Sequence, residues 1–170
     1  MKNLSAIVSV SNTWTIGNNG EMPWRQSDDL KRFKNLTTDH IVIMGKKTFK
    51  SIGGLLSKRI NIIITRDKSF KAFGCYVVHS IEEALKLSIE IIDGGLFGVE
   101  NEVFVIGGGE IYDQMLPICS KVYLTLINCD IEGDTHFPKI EHGWNLVSYE
   151  YHSADNDNDF DYTFKNYIRR

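Results

Sequence analysis

Apolar positions in this chain fall into short, nearly unbroken runs separated by amphipathic stretches. Leu4–Val10 predicts a buried first strand, and residues 41–44, 60–65 and 102–106 repeat that texture, with Tyr76–Val78 as a shorter version. Between them, residues 28–36, Lys46–Ser51, 81–91 and 110–116 carry helical spacing, with Ser27 as the expected N-cap of the first helix. Strand–helix alternation predicts an α/β fold with a central, mixed, mostly parallel sheet flanked by helices. Beyond Lys121 the texture changes: residues 122–127, 144–151 and 160–168 read as longer strands without intervening helices, hence antiparallel C-terminal strands. The polar run Asp155-Asn156-Asp157-Asn158-Asp159 reads as a solvated hairpin tip, residues 11–25 as a long loop, and residues 93–98 as an irregular connection.

Composition narrows the class. A chain of 170 residues fits a single domain, 1–170, with one sizeable core. A net charge of −3 gives no reason to expect nucleic acid or an anionic membrane as partner. The first apolar run is too short for a signal peptide and none is long enough for a membrane helix, so the cytoplasm is the expected compartment. Cys75, Cys119 and Cys129 share no metal or redox spacing and read as reduced core thiols. The histidines form no ligand pair, so no metal is expected.

Candidate chemistry sits at the strand ends and on the first helix. Asp29 shares a helix face with Phe33 and Leu36, and a carboxylate on an apolar stripe is costly unless something pairs with it. The alternative is a first-turn acid favoured by the helix dipole, as Asp28 would be. The preceding Met22-Pro23-Trp24 favours a pocket acid, because an apolar, partly rigid loop there can roof a site that recognises an amide-bearing heterocycle. Gly45-Lys46-Lys47-Thr48 lies at a strand-to-helix turn, either a phosphate site or a simple turn with solvated lysines. Thr65-Arg66 repeats the theme one strand on, where ligands of open α/β sheets collect. Gly107-Gly108-Gly109 allows close approach to a pyrophosphate, or a tight turn without ligand; it is not the Rossmann fingerprint, since Tyr112 replaces the third glycine. The residues alone reach a nucleotide-binding α/β domain with a pocket carboxylate.

Taken in order, the same residues resemble a known family. Ile16-Gly17-Asn18, Met22-Pro23-Trp24 and Asp29-Leu30-x-x-Phe33-Lys34 resemble the N-terminal signature of the dihydrofolate reductases. Residues 43–53, residues 59–66, Val105-Ile106-Gly107-Gly108-Gly109-x-Ile111-Tyr112 and Gly133-Asp134-Thr135-x-Phe137-Pro138 resemble four further blocks in the family order. The resemblance implies a dihydrofolate-reductase-like domain that reduces dihydrofolate with NADPH and is open to antifolate inhibitors; a monomer is the default expectation, as nothing in the sequence demands a partner. It implies that Asp29, with Thr125 behind it and Met22 and Trp24 nearby, forms the catalytic group. Ile7, Val8, Leu30, Phe33, Ile52, Leu56, Ile106 and Tyr112 would wall the substrate, and Arg59 would pair with its glutamate carboxylate. Ile16, Gly45, Lys47, Thr48, Gly107, Gly108, Gly109, Glu110 and Ile111 would hold the cofactor, with Lys46, Thr65 and Arg66 on its 2′-phosphate. A cis Gly107-Gly108 bond and an Asp134 that steadies the Met22 loop are also implied.

The chain departs from the family pattern in places. Lys46 stands where many members have Arg, Ser9 where a small apolar residue is common, and residues 54–58 lack the usual prolines, which predicts a softer loop. Two rival classes fit less well. A reductase of sugar-phosphate precursors needs neither Asp29 nor Arg59, and a nucleotide-sensing or RNA-binding module lacks its basic aromatic face.

Overall fold

The structure, a computed structural model, describes residues 3–95 and 102–170. Leu4–Val10 (β1) is buried at all seven positions, as its unbroken pattern requires when both faces of a sheet are covered. Its even-numbered side chains Leu4, Ala6, Val8 and Val10 enter one core with Ile43, Ile62 and Met115 or their neighbours. Ile7 faces the opposite core with Val42, Met44, Ile63 and Phe104.

Thr15–Gly17 (β2), Ile41–Gly45 (β3), Ile60–Ile64 (β4), Tyr76–Val78 (β5), Val103–Val105 (β6), Lys121–Ile127 (β7), Thr135–His136 (β8), Trp144–His152 (β9) and Tyr162–Arg169 (β10) follow in chain order. One eight-stranded sheet runs β5-β4-β3-β6-β1-β7-β10-β9, parallel as far as β7. Strand β10 returns antiparallel between β7 and β9, as the change of texture after Lys121 predicts. The last strand lies two residues later than its apolar run suggested at the start, because Phe160 belongs to the connection. The expected loop at 11–25 contains β2, which pairs with β8 in a separate two-stranded sheet.

The helices are Ser27–Thr37 (α1), Lys46–Ser51 (α2), Ile81–Asp93 (α3) and Gly109–Met115 (α4), the last continued by a short 3-10 turn, Leu116–Ile118. Ser27 is not the N-cap of α1; it is already helical, and extended Gln26 precedes it without a side-chain cap. The cap comes from far along the chain. Asn158 Oδ1 accepts from the Asp28 N–H at 3.1 Å, and the Asp157 carbonyl accepts from the Ser27 N–H at 3.2 Å. The 155–159 segment is therefore not a freely solvated tip, and Asn158 is buried. Helix α3 is capped by Ser80, which accepts from the Glu83 N–H, while Glu83 reaches back to the His79 N–H. The irregular connection predicted at 93–98 is helical at Asp93 and turns at Gly94 and Gly95, and its second half lies outside the described residues. All three cysteines are free, but Cys75 is only half-buried.

Candidate active site

The carboxyl ends of β1, β3, β4 and β6 open onto one cleft of about 2260 Å³. That exceeds the roughly 300–1,000 Å³ of a pocket for one drug-sized ligand, so it has room for two ligands side by side. Asp29, near the start of α1, stands at one end of this cleft, which Met22 also lines. Ile7, Val8, Leu30 and Phe33 line the same end, with Ile52, Leu56, Ile106 and Tyr112. Tyr112 is fixed by donating its hydroxyl to the Ile7 carbonyl at 2.6 Å.

Burial pushes the Asp29 carboxyl above the ordinary range, against opposing pulls from the Thr125 hydroxyl, the Arg32 charge and the Ser9 hydroxyl. Ser9 and Thr125 are register partners on neighbouring parallel strands, so both present to the same side of the sheet. The buried Ser9 Oγ lacks a hydrogen-bond partner of normal geometry.

The opposite end of the cleft is basic and rich in glycine. The Gly45 N–H donates to the Gly107 carbonyl at 2.8 Å, joining the turns after β3 and β6. The Gly107-Gly108 bond is cis, and Gly107 has φ +108°. A Cβ at Gly107 would meet the Tyr112 ring at 2.8 Å, and one at Gly108 would crowd Thr48 Oγ1 at 3.1 Å, so the turn leaves no room for a side chain at Gly107 and little at Gly108. Gly109, Glu110 and Ile111 continue the wall, and Ile16 closes it from β2. Lys46, Lys47, Thr48, Thr65 and Arg66 line the far end. Lys46 is bound to Asp67 at 2.7 Å, an acid absent from the expected phosphate set.

Four expected site residues do not line the cleft. Thr125 is buried behind Asp29, and Gly107 lies under its own turn. Trp24 packs with Ile127, Cys129 and Tyr162, its buried Nε1 unpaired. Arg59 lies beside the pocket, with Nε donating to Thr37 Oγ1 at 2.8 Å, Nη1 to the Ser57 carbonyl and Nη2 to the Lys34 carbonyl. Those bonds use three of the five guanidinium N–H groups and leave one on each terminal nitrogen, a fork suited to a carboxylate. The expected softness of the preceding loop is offset by buried Asn61. Its side chain accepts from the Leu56 N–H at 3.0 Å and donates to the Leu56 and Arg59 carbonyls.

The loop carrying Met22 is tied down at two points. Asp134 Oδ2 accepts from the Asn19 N–H at 2.9 Å, and the Ser51 hydroxyl donates to the Gly20 carbonyl. His79 is a lining residue that the sequence reading missed; its Nδ1 donates to the Thr65 carbonyl at 2.8 Å.

The family model for dihydrofolate reductase matches residues 3–169. The chain belongs to the dihydrofolate reductase family. It is 41% identical over 167 residues to the dihydrofolate reductase of Staphylococcus haemolyticus, covering 98% of this chain and 95% of that one. To the dihydrofolate reductase of Bacillus subtilis it is 38% identical over 168 residues, with the same coverage. A solved structure of dihydrofolate reductase from Enterococcus faecalis complexed with NADP(H) and RAB-propyl superposes with a TM-score of 0.87 at 30% identity, covering 99% of this chain and 97% of that one. Among the described residues no helix is long and apolar enough to cross a membrane.

Proposed function

We propose that this protein reduces 7,8-dihydrofolate to 5,6,7,8-tetrahydrofolate with NADPH. The observation that carries the reading is one continuous cleft, with a carboxylate at its apolar end and paired glycine turns with cations at its other end. Its family relatives are named for the same reaction, and the Enterococcus faecalis relative is complexed with NADP(H).

The glycine turns and the cations at the strand ends fit a dinucleotide. Gly45, Thr48 and residues 107–111 hold the pyrophosphate and nicotinamide, and Arg66, Thr65 and Lys46 meet the 2′-phosphate. When bound, the cofactor supplies the hydride that reaches pterin C6. Asp29 accepts hydrogen bonds from the pterin amide and amino group and makes N5 more basic. A water delivers the proton to N5 while Asp29 polarises the ring; because burial raises the Asp29 carboxyl above its ordinary range, direct donation by Asp29 is the second reading. The Met22 loop excludes bulk solvent while Asp134 steadies it. Arg59 uses its remaining fork on the glutamate α-carboxylate.

Oxidation of NADPH by the purified protein, followed by absorbance with and without dihydrofolate, tests this. Dihydrofolate-dependent oxidation is expected. A folded protein that binds NADPH and never oxidises it with dihydrofolate refutes the proposal.

A further inference from the structure

Arg32 lies one turn after Asp29 on α1 and is the only arginine of that helix. Its guanidinium crosses the sheet instead of entering solvent. Nη1 donates to Thr125 Oγ1 at 3.2 Å and to the Leu124 carbonyl at 3.3 Å, and Nη2 donates to Asn166 Oδ1 at 2.6 Å. Asn166 in turn donates to Ser148 Oγ at 2.8 Å, so the anchor runs from β7 through β10 to β9. The Phe164 ring lies 4.5 Å beneath the guanidinium carbon, and the Tyr123 ring 5.9 Å away. Placing a desolvated cation here is costly, and packing alone does not call for a fork aimed at a threonine hydroxyl.

The bond to Thr125 has a consequence for the direction of a proton. A hydroxyl has one proton to give and lone pairs that accept. With Arg32 donating into the Thr125 oxygen, the Thr125 proton must point elsewhere; Asp29, whose carboxyl pKa the Thr125 hydroxyl lowers, and Ser9, the register partner of Thr125, are the acceptors on that side. We propose that Arg32 is a positioning residue that orients the Thr125 hydroxyl as a donor to the Asp29 carboxylate. This rests on the reading of Asp29 as the pterin-binding acid.

The surroundings contain few competing charges. From α4 only the Tyr112 hydroxyl faces Asp29, and it is occupied by the Ile7 carbonyl. From β1 and β7 the neighbours are the Ser9 and Thr125 hydroxyls. Arg32 itself is faced by Asp29 on its own helix, by Tyr123 on β7 and by exposed Glu150 on β9. Glu150 Oε1 also lies 3.1 Å from His152 Nε2.

The test is a carbon-13 NMR titration of the Asp29 carboxyl in the full-length, ligand-free protein. Arg32→Met, which keeps most of the stem packed on Phe164, is expected to raise the Asp29 midpoint. In a Thr125→Val background the same substitution is expected to raise it less, because part of its effect runs through the hydroxyl. Arg32→Lys keeps the charge without the fork and is expected to fall between wild type and Arg32→Met. An unchanged midpoint in Arg32→Met, an equal shift in the Thr125→Val background, or a wild-type midpoint in Arg32→Lys would each overturn the positioning role. The titration needs no turnover, so failure of the wild type to oxidise NADPH with dihydrofolate refutes the functional proposal and leaves this measurement intact.

Discussion

Lys46 Nζ and the Asp67 carboxylate are held 2.7 Å apart, whereas Arg66, which lines the same cleft, has no ion-pair partner among the described residues. Lys46 and Ser69 hold the Asp67 carboxyl well below its usual range, so the pair stays charged at working pH. Arg66 is then the readier partner for an added phosphate. Arg66→Ala is expected to raise the NADPH KM about tenfold or more, as loss of a charged hydrogen bond implies, and to leave the NADH KM nearly unchanged. Equal changes in steady-state kinetics with the two cofactors would remove the 2′-phosphate assignment.

The same pair predicts an opposite effect. Asp67→Asn frees Lys46 and removes a negative charge near the phosphate site, so the NADPH KM is expected to fall a few-fold, with the gain fading in high salt. A KM that rises, or a salt-independent change, counts against the competition.

Asp29 couples activity and stability with opposite signs. Asp29→Asn is expected to cut turnover about a hundredfold or more at neutral pH, the usual scale for a positioned acid–base group. Its carboxyl pKa is raised on folding, so above the ordinary value of 3.8 the unfolded chain ionises more readily and stability falls as pH rises through the folded pKa. Asp29→Asn is therefore expected to raise the Tm at pH 7 relative to wild type, with the difference vanishing below pH 3.8. Melting curves across that window decide it; a lower Tm at pH 7 would mean the carboxylate is net stabilising.

Asp134 reaches the lid loop through the Asn19 N–H. Asp134→Ala is expected to lower kcat/KM for both ligands about three- to tenfold, in line with one lost hydrogen bond, and to leave the Tm within a degree or two. Unaltered kinetics would show that the lid needs no support from this side.

Arg59→Ala is expected to raise the dihydrofolate KM about tenfold or more and to spare a pterin without the glutamate tail, since only the outward fork is lost to the ligand. Comparable losses for both ligands would assign Arg59 to shaping the loop.

The central strands were legible because both faces of the sheet are covered: an unbroken run such as Leu4–Val10 needs no partner to be recognised. The glycine turns were legible because their positions exclude side chains. Strands β2 and β8 were not, since residues 15–17 and 135–136 carry no period and are strands only by pairing with each other. Asn158 was read as solvated because its partner, the Asp28 N–H, is 130 residues away. Arg32 had one local clue, its i+3 spacing from Asp29, but its fork onto Thr125 and Asn166 depends on where β7 and β10 lie. The Asp67 acid was passed over because the surrounding cations already suggested a phosphate.

The cap that Asn158 places on α1 has a consequence in time. Ribosomes make the chain from its N-terminus, so the helix bearing Asp29 exists long before the segment that fixes its first turn. Strand β10, which also anchors Arg32 through Asn166, comes later still and must slot between two strands already made. A growing chain thus carries both glycine turns before the first turn of α1 is capped, and Arg32 waits for β10 before its guanidinium has all its partners.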